Sequence, residues 1–482
     1  MSRAGRINPM YNRLTPMRVL LLVVTVALAA PSRAADWPRF RGPNGSGVAE
    51  TTGLPAEFGP GKNVVWKTAL GAGHSSPVVS GDRIFLTAVE GDRLYTVCLS
   101  RQTGKELWRR ECPRDRREPL DKRNHPASPT PAADGRNVYV FFADFGLLSY
   151  EYDGNERWRT PLGPFHNFYG MGASPIVADD TVVLICDQTT GSFAAAFGKD
   201  DGRLRWKTPR PEALSGHSTP ILYRPQDGPT QILAPGSFRM DAYRADTGEI
   251  VWSAQGLASE MKSAPVLAGE TVYINGYNTP QNDPGKQIPV PPFEEVDANG
   301  DGRIAREEIR DDRMRGYFPF IDLDREGYAG AAEWRTFQAA MAAENGLLAI
   351  RIGGGLRWKY QRAVPQLPST LLYQGVLYMI NDGGILTTID PETGEQRKQG
   401  RLRGAIDHYY ASPVGSDGKV FVASQAGVVT VLKAGGEQEI LAVNELEDEC
   451  YATPAIADGR IYIRTRGALW CFARGRKTLL IP

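Results

Sequence analysis

From Ser75 onward, short apolar runs alternate with glycine or Asp-Gly turns in a recurring order. The phrase SSPVVSGDRIFLTA returns as SPTPAADGRNVYVFF, SPIVADDTVVLIC, STPILY, SAPVLAGETVYIN, STLLYQGVLYMIN, SPVGSDGKVFVAS and TPAIADGRIYIRT. Each copy has a small residue, usually a proline, a few apolar residues, a turn, and a β-branched or aromatic run, which is the pattern of a hairpin. Pro77, Pro129, Pro175, Pro220, Pro265, Pro413 and Pro454 mark seven copies, and Leu371 stands in for the remaining one. The steps between markers are 52, 46, 45, 45, 106, 42 and 41 residues, so one step is too long by more than a copy.

A second phrase, such as RLYTVCLSRQTGKELW or FRMDAYRADTGEIVW, adds two strands around a glycine turn and often ends on Trp108, Trp158, Trp206, Trp252 or Trp358. Four antiparallel strands in each period predict an all-β, eight-bladed β-propeller. The last copy stops after its third strand, whereas an orphan NVVWKT carrying Trp66 precedes the first. The orphan is expected to complete the final blade and so remove both open sheet edges.

The long step falls between TVYING and GLLAIR, the second and third strands expected for blade five. Its insert begins with a Pro-rich stretch that cannot be helical, and then reads DANGDGRIAREE. Asp297, Asn299, Asp301, the Arg303 carbonyl and Glu308 occupy the ligand positions of a calcium loop, with Gly302 at the tight bend. Asp322, Asp324, Glu326, the Tyr328 carbonyl and Glu333 repeat the spacing less well, because Ala329 stands where an Ile or Leu would pair with Ile304. The insert thus predicts a small α-helical EF-hand pair. Only a stub of helix, PFEEV, fits before the first loop, so a filled structural pair is expected rather than a calcium switch.

All five histidines sit just upstream of a first strand: His74, His125, His166, His217 and His408. Alternating strand direction puts those loops on the same face as the loops between second and third strands, and therefore with the insert. Lys262 and Tyr410 share the address, beside Glu260, Asp407, Glu449 and Tyr451. A polar ligand site on this top face is the expectation, with hydrogen bonding of each imidazole to a loop carbonyl as the plain alternative.

The first 34 residues carry five arginines and no acid, then an apolar run from Val19 to Ala30 and the small-x-small signal Ser32-Arg33-Ala34. That is the pattern of a cleaved signal peptide, with a retained anchor as the alternative; the run is short for a permanent membrane span. Cleavage moves the formal charge from +1 to −4, which excludes the basic face of a nucleic-acid binder. The expected location is periplasmic or secreted. The five cysteines permit disulfides there, but the odd count leaves one over, and no C-x-x-C occurs. The predicted order is leader 1–34, N-terminal segment 35–63, propeller 64–278, linker and calcium loops 279–345, and remaining blades 346–482.

The T-G-x-x-x-W phrase, from Thr103-Gly104 to Trp108 and from Thr247-Gly248 to Trp252, resembles the tryptophan-docking repeat of pyrroloquinoline-quinone-like propellers. That resemblance takes in quinoprotein alcohol dehydrogenases and the non-catalytic outer-membrane assembly factor B, and implies fold more than activity. The dehydrogenases typically carry a vicinal cysteine pair above the quinone, which this chain lacks. The reading is therefore a monomeric, non-catalytic binding or scaffold propeller that takes a protein, peptide or glycan on its top face beneath a calcium-stabilised lid. The alternative is a pyrroloquinoline-quinone-dependent alcohol or sugar dehydrogenase.

Overall fold

The structure, a computed structural model, describes residues 36–279 and 288–475, with residues 1, 2 and 4–6. The leader stretch from Val19 to Ala34 and residues 280–287 of the Pro-rich linker lie outside the described residues.

Among the described residues the strands make eight four-stranded antiparallel sheets and one two-stranded ribbon, and the chain is an eight-bladed β-propeller. Inner strands such as Asn137–Phe142 and Phe193–Gly198 are buried almost throughout. Neighbouring blades cover both their faces, so they read as continuous apolar runs. The outermost strands alternate: Leu204–Pro209 keeps Trp206 buried while most of its other residues are exposed or half-buried.

The recurring tryptophan is a latch between blades. The indole N–H of Trp108 donates to the Tyr152 carbonyl at 2.9 Å, that of Trp158 to Lys199 at 2.8 Å, and that of Trp206 to Ala245 at 2.9 Å. Each ring also lies on the turn glycine of the next blade. A Cβ at Gly248 would come within 2.4 Å of Trp206, and its φ of 75° already disfavours other residues. Trp252 differs, since it bonds Gln231 of its own blade.

The ring closes as the fragments predict. Val64–Ala69 pairs with Ala468–Ala473 as the outer strand of the last blade, with Lys67 opposite Trp470. Trp66 then latches onto the first blade through the Arg101 carbonyl at 3.3 Å. Two repeat markers shift on strand register. First strands begin right after Pro77, Pro175 and Pro220, and by that rule the second blade is marked by Pro131 and the sixth by Thr370, not by Pro129 and Leu371. The doubled proline of SPTPA hid the first offset, and the missing proline of STLL hid the second.

Residues 36–59, which carry no repeat, reach across the ring. Trp37 pairs with Val79, the Pro38 carbonyl accepts from Ala133, Asn44 exchanges bonds with Leu222, the Gly47 carbonyl accepts from Gly415, and the Phe58 ring packs tilted against Phe472 at 4.8 Å. Arg39 and Arg41 are buried in this segment and donate to the carbonyls of Pro220 and of Ser369 and Thr370.

The insert leaves blade five between Thr271–Gly276 and Gly346–Arg351, whose ends are paired at Gly276 and Gly346. It holds α1 (Phe293–Val296), α2 (Asp312–Gly316), α3 (Phe318–Ile321) and α4 (Ala331–Ala342) around a core that includes Ile304, Ile321 and Trp334. Ile304 does sit opposite Ala329, in the two-stranded ribbon. At its root, the Asn278 amide donates to the carbonyls of Ala340 and Ala343. All five cysteines are buried and free.

Candidate functional site

The residue before each marker carries a signal that the repeat reading passes over. Thr130, Ser174, Thr219, Ser369, Ser412 and Thr453 each offer a side-chain oxygen to a backbone N–H of the preceding blade. The Ser76 N–H donates to Thr130 Oγ1 at 2.9 Å, Thr130 to Ser174 at 2.9 Å, and Ser174 to Thr219 at 3.1 Å. On the other half of the ring Ala264 donates to Ser369 at 2.9 Å, Ser369 to Ser412 at 2.9 Å, and Ser412 to Thr453 at 3.0 Å. The hydroxyls form a collar about the propeller axis.

The collar opens into a cavity of about 210 Å³ to which all eight blades contribute. Four predicted residues line it: His74, His217, Lys262 and Tyr410. His125 stands behind His74, with ring centroids 5.1 Å apart. His166 and His408 are exposed and off the wall; they stand further ahead of their first strands than His74 and His217 do. His408 pairs with Asp382 at 3.1 Å, and that carboxylate raises its pKa. Lining residues outside the predicted set include Phe40 of the unrepeated segment, Asp121, Arg123, Tyr169 and Gln366. They come from loops of irregular length, where periodicity has nothing to report.

The wall is aromatic and cationic. Tyr451 stacks on His74 with centroids 4.1 Å apart and planes at 14°, and Tyr410 meets Tyr451 edge-on at 5.0 Å. Tyr169 has the Lys262 ammonium 5.2 Å and the Arg123 guanidinium 5.4 Å from its ring centre. Lys262 pairs with Glu260 at 2.7 Å and Arg123 with Asp121 at 2.7 Å. Burial, reinforced by Lys262, pushes the His217 pKa down to about 3. Burial and the charges of His125, Arg464 and Arg466 bring His74 to about 3, and burial with Arg464, Arg114 and Arg466 brings His125 to about 4. All three imidazoles are neutral at physiological pH. The Nδ1 atom of His217 is buried on this wall with no hydrogen-bond partner among the described residues.

The second cluster lies in the insert. Oxygens of Asp322, Asp324 and Glu333 come within 4.8 Å of one another, the one group of three or more metal-ligating side chains found among the described residues. The two loops share a backbone scheme. Asp297 accepts from Asp301 and Gly302 as Asp322 accepts from Glu326 and Gly327, and Glu308 and Glu333 fold back onto the N–H groups of Ala305 and Gly330. Asn299 Oδ1 accepts from the Asp301 N–H, while Glu326 is turned to the Tyr328 hydroxyl and stands outside the carboxylate cluster. The Arg303 guanidinium lies 4.2 Å from the Tyr328 ring centre, bridging the loops. One residue of α3, Phe320, reaches Phe168 of the loop entering blade three, with centroids 4.7 Å apart.

Several comparisons bear on the chain. The family described as Outer membrane protein assembly factor BamB matches residues 58–183, 96–283 and 331–478. No curated protein matches the chain. The BamB structure from Moraxella catarrhalis superposes with a TM-score of 0.55 at 12% identity, over 86% of this chain and 99% of that one. A europium-containing methanol dehydrogenase gives 0.60 at 9% identity, over 91% and 98%. The quinohemoprotein alcohol dehydrogenase ADHIIG of Pseudomonas putida HK5 gives 0.58 at 12% identity, over 93% and 81%. At such identities the structural likeness speaks to fold alone. The family match spans well over half of the sequence, and the chain belongs to the Outer membrane protein assembly factor BamB family.

Proposed function

We propose that the chain is an exported, non-catalytic binding propeller of the cell envelope, whose axial cavity takes part of a protein, peptide or glycan partner and whose insert is a calcium-stabilised lid. The observation that carries the reading is the wall itself: eight blades converge on one cavity that keeps an unpartnered, buried imidazole nitrogen. Family membership favours a scaffold or assembly role. Export rests on the leader, and no helix among the described residues is long and apolar enough to cross a membrane.

The calcium reading rests on both loops, with Asp297, Asn299, Asp301, the Arg303 carbonyl and Glu308 as one ligand set and Asp322, Asp324, the Tyr328 carbonyl and Glu333 as the other. Hard oxygen donors on paired twelve-residue loops suit that ion. The lid reading rests on Phe320 and Phe168. A calcium-held quinone in the cavity fits poorly. Asp121 is the single carboxylate on the wall among the described residues, and Arg123 already holds it. No oxidation step is therefore assigned to these residues.

Affinity capture from an envelope extract, with wild type and with the cavity-filling His217→Phe variant, tests the reading. The same partner should be captured by wild type and lost in the variant, with thermal unfolding confirming that the variant is folded. Equal capture by both would remove the cavity from the function.

A further inference from the structure

The wall of the axial cavity is rich in unspent donors. In Thr130, Ser174, Thr219, Ser369, Ser412 and Thr453 the oxygen accepts a backbone N–H, and the hydroxyl proton has no acceptor among the described residues. A hydroxyl that accepts one bond still has its own to give. Two of the side-chain acceptors nearby, on Asp121 and Asn124, are already engaged. The Asp121 carboxylate takes bonds from Arg123, and the Asn124 carbonyl oxygen takes bonds from the His125 N–H and the Ser128 hydroxyl.

Behind the collar lie three buried guanidinium groups with no carboxylate within 4.0 Å among the described residues. Arg39 and Arg41 flank Phe40, which reaches the cavity, and both donate to carbonyls. Arg464 donates to the Ser75 hydroxyl at 2.6 Å and to the carbonyls of Thr87 and Gly71, on the strand end next to His74. The Nε atoms of Arg39 and Arg464 have no hydrogen-bond partner among the described residues. Carbonyls satisfy the N–H groups of a buried cation but leave its charge uncompensated.

We propose that the cavity binds an oxyanion, a carboxylate, phosphate or sulfate group, carried on a ring that packs against Tyr410 and Tyr451. An oxyanion only accepts, so it can draw on O–H donors of the collar and on Lys262, whose ammonium has further N–H groups beyond the one it gives Glu260. It also supplies the negative charge that Arg39, Arg41 and Arg464 lack, in a place where solvent screens poorly. A neutral ligand would leave that charge unanswered. The inference rests on the binding reading above and names the chemistry of its ligand.

The test is isothermal titration calorimetry of the full chain with benzoate, glucuronate, inorganic phosphate and neutral glucose, at low and at high ionic strength. The anions should bind at least about tenfold more tightly than glucose, and Lys262→Gln should weaken them by about tenfold. Binding should also fall as salt rises. Benzoate against glucuronate tells an aromatic acid from an acidic sugar as the source of the group. Glucose binding as well as glucuronate, or no heat with any anion, overturns the proposal. If His217→Phe nevertheless abolishes partner capture, the anion is wrong and the binding cavity stands. If capture is also unchanged, both fall.

Discussion

His74 lies flat against Tyr451, with centroids 4.1 Å apart and planes at 14°, and has the His125 ring 5.1 Å away. Burial keeps both imidazoles neutral, and the neighbouring Arg464 and Arg466 charges add to it, since a proton on either ring would join a site that is already cationic. His217 is held neutral by burial and Lys262.

These imidazoles make stability fall in mild acid. Their folded pKa values lie below the unfolded value, so the unfolded chain takes up protons that the native state refuses. Stability is fully present above the unfolded histidine pKa and is lost as pH drops below about 6.5, the loss growing until the folded values near 3 to 4. For His217 alone the loss at pH 5 is about 2 kcal/mol. Urea unfolding at pH 7 and pH 5 measures it, and His217→Gln should flatten the pH dependence.

Trp66 closes the ring from outside the repeats. Trp66→Ala should cost about 3–5 kcal/mol, as a buried aromatic deleted from a packed core does. Trp252→Ala should cost less, because that ring is half-buried and bonds within its own blade. Equal losses in denaturant titrations would remove the special role of the closing latch.

The collar distinguishes a hydroxyl from its size. Ser412→Thr should be close to neutral, since Thr130, Thr219 and Thr453 fill equivalent places. Ser412→Ala strands the buried Ser369 N–H and should cost about 1–3 kcal/mol. Thermal unfolding of the two variants side by side checks it.

Calcium should bind the insert with Kd in the range of about 0.1–1 mM, typical of extracellular modules. Glu333→Gln and Glu308→Gln should each remove one site, seen by calorimetry, and leave the far-ultraviolet circular dichroism of the propeller unchanged. A wild-type chain that takes up no calcium at several millimolar ends the calcium reading and leaves the cavity untouched.

Phe320 is 41% exposed, yet it is the aromatic contact between α3 and the loop beside Tyr169. Phe320→Ala should cost at most about 1 kcal/mol. Amide hydrogen exchange should quicken in the loop around Phe168. Unchanged exchange there would mean that the insert does not act as a lid.

The sequence was informative where physics is local. The hairpin phrase repeats because every blade must bury the same inner strands, so the blade count, the closing role of Trp66 and the site of the insert could be read from one chain. Local spacing also anticipated that Asp322, Asp324 and Glu333 come together, though not the turning of Glu326 to Tyr328.

What periodicity could not carry was distance from the axis. All five histidines share one place in the repeat, but loop length decides that His74 and His217 reach the cavity while His166 and His408 stay outside. Residues 36–59 have no period at all, and only the closed ring gives Arg39 and Arg41 carbonyls from blades far along the chain. Strand identity follows from patterns a few residues long, so the sequence by itself determined it. Convergence on the axis needs all eight blades in place, and that was left to the tertiary structure.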